Sequence, residues 1–144
     1  MSLGAWLTGL LAASEPRLAF AVLFTPVVRM DRAFAELRFC EPIRQALQGR
    51  TVSLDYLNLV RWPLRIPARQ VLIVKSDYDL FAPPETVEEL WEAWGRPDIW
   101  RYRHGHISIL LSPVIFERVV HWCRSRAEEA GKPNTEAAAL PDRH

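Results

Sequence analysis

The chain has 144 residues, 49% of them hydrophobic, with six Trp and six Phe, enough for one packed domain with its own core. A formal net charge of +1 without any long basic run excludes a phosphate-tracking surface, so nucleic acid is not an expected partner. Cys40 and Cys123 stand far apart without metal-ligand spacing, so no metal, no cofactor and no disulfide is expected, and a reducing cytoplasmic location fits.

MSLGAWLTGLLAAS opens the chain with an apolar run that lacks the Lys or Arg of a secretory signal. Ser14-Glu15-Pro16-Arg17 interrupts it well short of the ~20 residues needed to span a bilayer, so no membrane association is expected. Leu3 to Ala13 is therefore predicted as a buried helix, with Trp6, Leu7, Leu10 and Leu11 at helical spacing and Pro16 closing it. Leu18 to Val28 (LAFAVLFTPVV) reads as a strand buried on both faces, the pattern of a parallel sheet.

Asp31 to Gln48 turns amphipathic, predicting two short helices broken at Pro42 and stopped near Gly49. Thr51 to Val60 is read as a further helical piece, and RWPLRIPAR, residues 61–69, as an extended connector. Residues 31–62 are either a small helical lid over a site or a packing connection.

The β-branched run from Val71 to Val74 stops at Ser76-Asp77-Tyr78-Asp79, and Pro83-Pro84 then opens a helix with Val87, Leu90, Trp91 and Trp94 on one face. Ile99 to Tyr102 forms another β-prone segment, ending at His104-Gly105-His106, where glycine is expected to allow a tight turn. A last helix is predicted from Pro113 to Ala130. Residues 1–130 are thus read as the folded portion and 131–144 as a disordered tail. The element order predicts an α/β fold of about three parallel strands with flanking helices.

An acid, Asp77 or Asp79, and a base, His104 or His106, then sit at the carboxyl ends of successive strands, the edge where open α/β sheets do chemistry. His121 falls mid-helix and His144 in the tail, so neither is a candidate. Upstream, Ser2-Leu3-Gly4 followed by an apolar helix matches the second half of a G-x-S-x-G elbow, with Ser2 at the nucleophile position. Trp62, Phe81, Trp91 and Trp100 are considered for an apolar acyl pocket, with ordinary packing as the plainer reading.

Asp79-Leu80-Phe81-Ala82-Pro83-Pro84-Glu85 and His104-Gly105-His106-Ile107-Ser108 resemble the acid and histidine loops of α/β-hydrolase domain-containing proteins. The resemblance runs from Ser2 to about Arg126 and implies the carboxyl-terminal half of an α/β-hydrolase fold. It implies a serine hydrolase acting on an ester, thioester or amide through an acyl-enzyme, with a small acyl compound as substrate. The family's acid pattern falls on Ser76, Asp79, Ala82 and Pro83, which selects Asp79 over Asp77, and the Gly-His pair selects His106 over His104. The backbone N–H of Leu3 is the expected oxyanion donor.

The strands that precede the elbow in that family are not in this sequence, so the strand opening at Leu18 is expected to have an exposed edge. The reading frame is then expected to start inside a longer enzyme, or else the chain is a remnant that an oligomer or partner covers. Two other functional classes are kept. One is a non-catalytic α/β interaction module retaining relic residues. The other is an N-terminal-nucleophile hydrolase using Ser2 after removal of Met1, which the parallel-type strands disfavour.

Overall fold

The structure is a computed structural model that describes residues 1–131; the predicted tail lies almost wholly outside them. The centre of the molecule is strand β2, Val71–Ser76, every residue of which is buried. Its apolar run without alternation is what a strand covered on both faces requires. β1 (Ala21–Phe24) and β3 (Asp98–Tyr102) flank it, both parallel to it, in the order β1-β2-β3. The register pairs Leu23 with Ile73 and Ile73 in turn with Ile99.

Alternation along β2 sends side chains to two separate cores. Val71 and Ile73 join Leu23, Leu59, Val87 and Leu90 under helices α1 (Leu3–Ala12) and α4 (Pro84–Ala93). Leu72 and Val74 join Phe24, Ile109, Ile115 and Trp122 under α5 (Pro113–Ala130). At about 25 cal/mol per Å2 of apolar surface removed from water, these layers dominate the stability. A salt-bridge cluster ties the sheet to α4: Lys75 Nζ, 9% exposed, lies 2.7 Å from Glu88, which also pairs with Arg101 at 2.7 Å. Hydrogen bonding from Arg101, and then from Lys75, holds the Glu88 carboxyl down at about 2.

Several expectations are corrected. α1 is not buried all round: only Ala5, Gly9 and Ala12 are buried, while Leu3, Leu7 and Leu11 stand about half exposed on its outer face. The helix packs through its small residues because these allow close approach to Leu23 and Leu59. The Gly9 position shows how close: a Cβ there would lie 2.8 Å from a Leu59 methyl. β1 covers only four residues of the long apolar run, because Thr25 takes φ 45° and Pro26 has no N–H for the ladder.

Pro42 does not break a helix. The break falls at Leu37, in extended conformation, which separates α2 (Met30–Glu36) from a 3-10 turn, Arg38–Cys40. Pro42 then sits in the first turn of α3 (Glu41–Leu47), where its missing N–H costs nothing. Residues 51–60 form no α-helix but two 3-10 turns, Asp55–Leu57 and Leu59–Arg61. In α5, Val114 is 70% and Val120 45% exposed, so only one side of its apolar set meets the sheet. Among the described residues no helix is long and apolar enough to cross a membrane.

Candidate active site

β2 and β3 are parallel, so the loops that follow them leave the sheet at the same edge. Backbone bonds hold them together: Asp77 N–H donates to the Tyr102 carbonyl at 2.8 Å and Tyr78 N–H to that of His104 at 3.0 Å. Asp79 is thereby carried beside His106. Its Oδ2 lies 2.7 Å from His106 Nδ1, with the two side chains 1% and 7% exposed. The other carboxylate oxygen, Oδ1, accepts the N–H groups of Phe81 at 2.9 Å and Ala82 at 2.8 Å. With each Asp79 oxygen occupied, the carboxylate is fixed in one orientation.

Asp77 is turned to Lys75, 3.3 Å away, and His104 does not enter the pair, so the geometry separates the two candidates of each type. His121 is exposed on α5, and His144 lies outside the described residues. Gly105 has no positive φ, and a Cβ there would make only an ordinary contact, 3.5 Å from the Tyr78 carbonyl. The expected glycine-dependent turn is therefore replaced by hydroxyl bonding: Ser108 Oγ accepts the Gly105 N–H at 2.9 Å, and Ser76 Oγ reaches the Gly105 carbonyl at 3.4 Å. The Gly-x-x-Ser spacing of GHIS was the available signal for this clamp.

Ser2 reaches the same edge from the other side of β1. Its N–H donates to the Phe24 carbonyl at 3.0 Å, making a single parallel bridge to Pro26. Ser2 adopts φ 51° and ψ −123°, a region costly for a residue with a Cβ. Directly after it Leu3 opens α1, so the Leu3 N–H belongs to the first turn, whose donors have no partner within the helix.

Ser2 and His106 line one cavity of about 280 Å3, together with Met1, Phe39, Phe81 and Ile107. Aromatic contacts wall it, with ring centroids of Phe39 and Phe81 6.4 Å apart and of Phe81 and His106 5.2 Å apart. Of the four aromatics considered for an acyl pocket, only Phe81 lines it. Trp62 donates to the Tyr56 carbonyl and Trp91 to that of Pro97, while Trp100 lies under the Arg118 guanidinium at 4.2 Å. Leu37, whose helical spacing reads as amphipathic packing, and Phe39, which the sequence does not single out, take that place instead. Among the described residues no group of three metal-ligating side chains occurs.

The arrangement resembles parts of several larger enzymes. Acetyl xylan esterase 1 from Thermoanaerobacterium superposes with TM-score 0.66 at 19% identity, over 87% of this chain and 43% of its own. An acetyl xylan esterase from Paenibacillus gives TM-score 0.63 at 17% identity, again over 43% of its length. An esterase of Pyrococcus furiosus gives 0.60 at 15% identity. The fold is a partial α/β-hydrolase fold. In sequence, the chain is 33% identical over 121 residues to an uncharacterized protein of Mycobacterium tuberculosis, spanning 28% of that protein's length. It is 30% identical over 78 residues to the uncharacterized protein YdjC of Bacillus subtilis. No protein-family model matches. This chain thus spans little more than a quarter of the mycobacterial relatives and under half of the acetyl xylan esterases.

Proposed function

We propose that this chain is the carboxyl-terminal part of an α/β-hydrolase-type serine hydrolase, acting on an ester, thioester or amide. Ser2 is the nucleophile, His106 the base and Asp79 the residue that orients it. The observation that carries this reading is the buried Asp79–His106 pair, at 2.7 Å, opening on the cavity that Ser2 lines. An ionised Asp79 only accepts, so Nδ1 is the protonated ring nitrogen and Nε2 is left to receive a proton.

In the first half-reaction Ser2 Oγ bonds to the acyl carbon while its proton passes to His106 Nε2. Asp79 stabilises the imidazolium so formed without becoming protonated itself. The charge on the acyl oxygen is taken up by donors including the Leu3 N–H, assisted by the positive end of α1. Collapse expels the leaving group, which takes the proton from Nε2 and leaves an ester on Ser2. Water, deprotonated by the same nitrogen, then releases the acid and restores the hydroxyl.

The test is covalent labelling of the purified 144-residue chain with a fluorophosphonate. One label per chain on Ser2, lost in Ser2→Ala, is the expected result; labelling that survives Ser2→Ala refutes it. A second reading, a non-catalytic interaction module, draws on the half-exposed Leu3, Leu7 and Leu11 and on β1 standing at one end of the strand order among the described residues. A compact, unlabelled dimer on size exclusion would favour that module.

A further inference from the structure

We infer that the cavity beneath α2, the 3-10 turn at Arg38–Cys40 and α3 is an acyl pocket that selects uncharged acyl chains of medium length. The inference rests on the hydrolase reading and adds the substrate class. Two cavities meet at Ser2. One contains His106; the second, of about 350 Å3, shares Ser2, Val27, Leu37 and Phe39 with it and extends to Met30, Phe34 and Ile43.

The division has a chemical logic. His106 must hand its proton to the leaving group, so the leaving group belongs in the cavity that holds the imidazole. The acyl substituent is then directed into the other. No residue lining that second cavity carries a charge, so a carboxylate or ammonium at the chain's far end would be stripped of water with nothing to pair it. Ser2 is the only hydroxyl-bearing side chain on its wall. Size sets the length: a volume near 350 Å3 equals roughly twelve water-sized units of about 30 Å3, so with methylenes of similar bulk a chain of about eight to twelve carbons fits.

Its roof is held in place by one guanidinium. Arg44 Nη1, on α3, donates to the Phe34 carbonyl at 2.7 Å and the Leu37 carbonyl at 3.0 Å, closing the end of α2 over the cavity. Ala33 is the small residue on this wall, and its replacement by Phe would fill the space.

The experiment measures kcat/KM of the 144-residue chain for p-nitrophenyl acetate, octanoate and hexadecanoate, and octanoate binding to the Ser2→Ala chain by calorimetry. At roughly four-fold per methylene moved out of water, octanoate should exceed acetate by more than about 100-fold. Ala33→Phe should lower the octanoate-to-acetate ratio at least about ten-fold, and Phe34→Ala should move the optimum toward longer chains. Equal turnover of acetate and octanoate, or a ratio untouched by both variants, overturns the pocket while leaving a hydrolase. If no ester is turned over, octanoate binding to Ser2→Ala that Ala33→Phe abolishes upholds the pocket, while fluorophosphonate labelling that survives Ser2→Ala condemns the hydrolase reading. Absence of octanoate binding overturns the pocket in every case.

Discussion

Replacing Asp79 by Asn removes one charge and changes almost nothing in shape, which makes it the sharpest probe of the site. The carboxylate serves two masters: Oδ1 accepts from Phe81 and Ala82, and Oδ2 accepts from His106. An asparagine has one acceptor oxygen and must abandon one side. Facing its oxygen to His106 would strand the buried Ala82 N–H, at about 1–3 kcal/mol, together with the part-buried N–H of Phe81, whereas facing it to the loop gives up one charge-assisted bond worth about 1.5–3 kcal/mol. The second arrangement wins. The amide nitrogen then points at Nδ1 and forces the imidazole to carry its proton on Nε2, where it can no longer accept from Ser2. A tautomer block of this kind costs about 10^4 in rate where it has been measured in a Ser-His-Asp site, which is about 5 kcal/mol of barrier. The fluorophosphonate labelling rate should therefore fall by about that factor, with the urea midpoint moving by no more than about 2 kcal/mol equivalent. Labelling within ten-fold of the parent at unchanged stability would show that Asp79 does not orient the base.

Two further outcomes test the packing and the charges. Gly9→Ala gains about 1 kcal/mol of helix propensity but drives a methyl to 2.8 Å from Leu59, an overpacking of about 1–3 kcal/mol; denaturant titration should show net destabilisation, and a rise in stability would mean the α1–Leu59 contact is loose. Glu88 has its carboxyl lowered to about 2 from the usual 4.5, so its contribution is present above the unfolded value and drains away as pH falls from about 4.5 toward 2. Glu88→Gln should lower the urea midpoint at pH 7 and flatten the acid limb between pH 5 and 2; an unchanged limb would rule out the Lys75–Glu88–Arg101 cluster as its source.

Much of this architecture was written in local chemistry. Val71 to Val74 has no polar alternation and ends on turn formers, and that alone specifies a central parallel strand. The loops after β2 and β3 were equally readable as sites, yet the residues alone left two acids and two imidazoles open. The loop resemblance selects Asp79 and His106, and the packing keeps the two acids apart: Lys75 lies against Asp77 while the backbone of Phe81 and Ala82 bonds to Asp79. The apolar wall was not legible. Leu37 has helical spacing with Phe34, yet it lies where α2 has ended, and Phe39 sits in the 3-10 turn that follows, so a helical period places neither at the cavity. The exposure of Leu7 was hidden for a related reason: in a helix apolar on most sides, composition does not say which side meets the sheet. Here close approach through Gly9 decided it.

The bridge between Ser2 and Pro26 has a consequence for how the molecule fails. On either side of it stand two non-glycine residues with positive φ, Ser2 at 51° and Thr25 at 45°, each holding on the order of 1–3 kcal/mol of conformational strain. Thr25 Oγ1 is also buried without a hydrogen-bond partner among the described residues. The Ser2 N–H bond to Phe24 thus acts as a latch on a loaded spring at the edge of the core that Phe24 shares with Leu72 and Val74. Unwinding the first turn of α1 would release that strain while leaving the β1–β2 and β2–β3 ladders paired, so opening at the latch is a sub-global event of lower free energy than melting the sheet. On warming, the cavity that Ser2 and His106 line should open while the three strands are still paired.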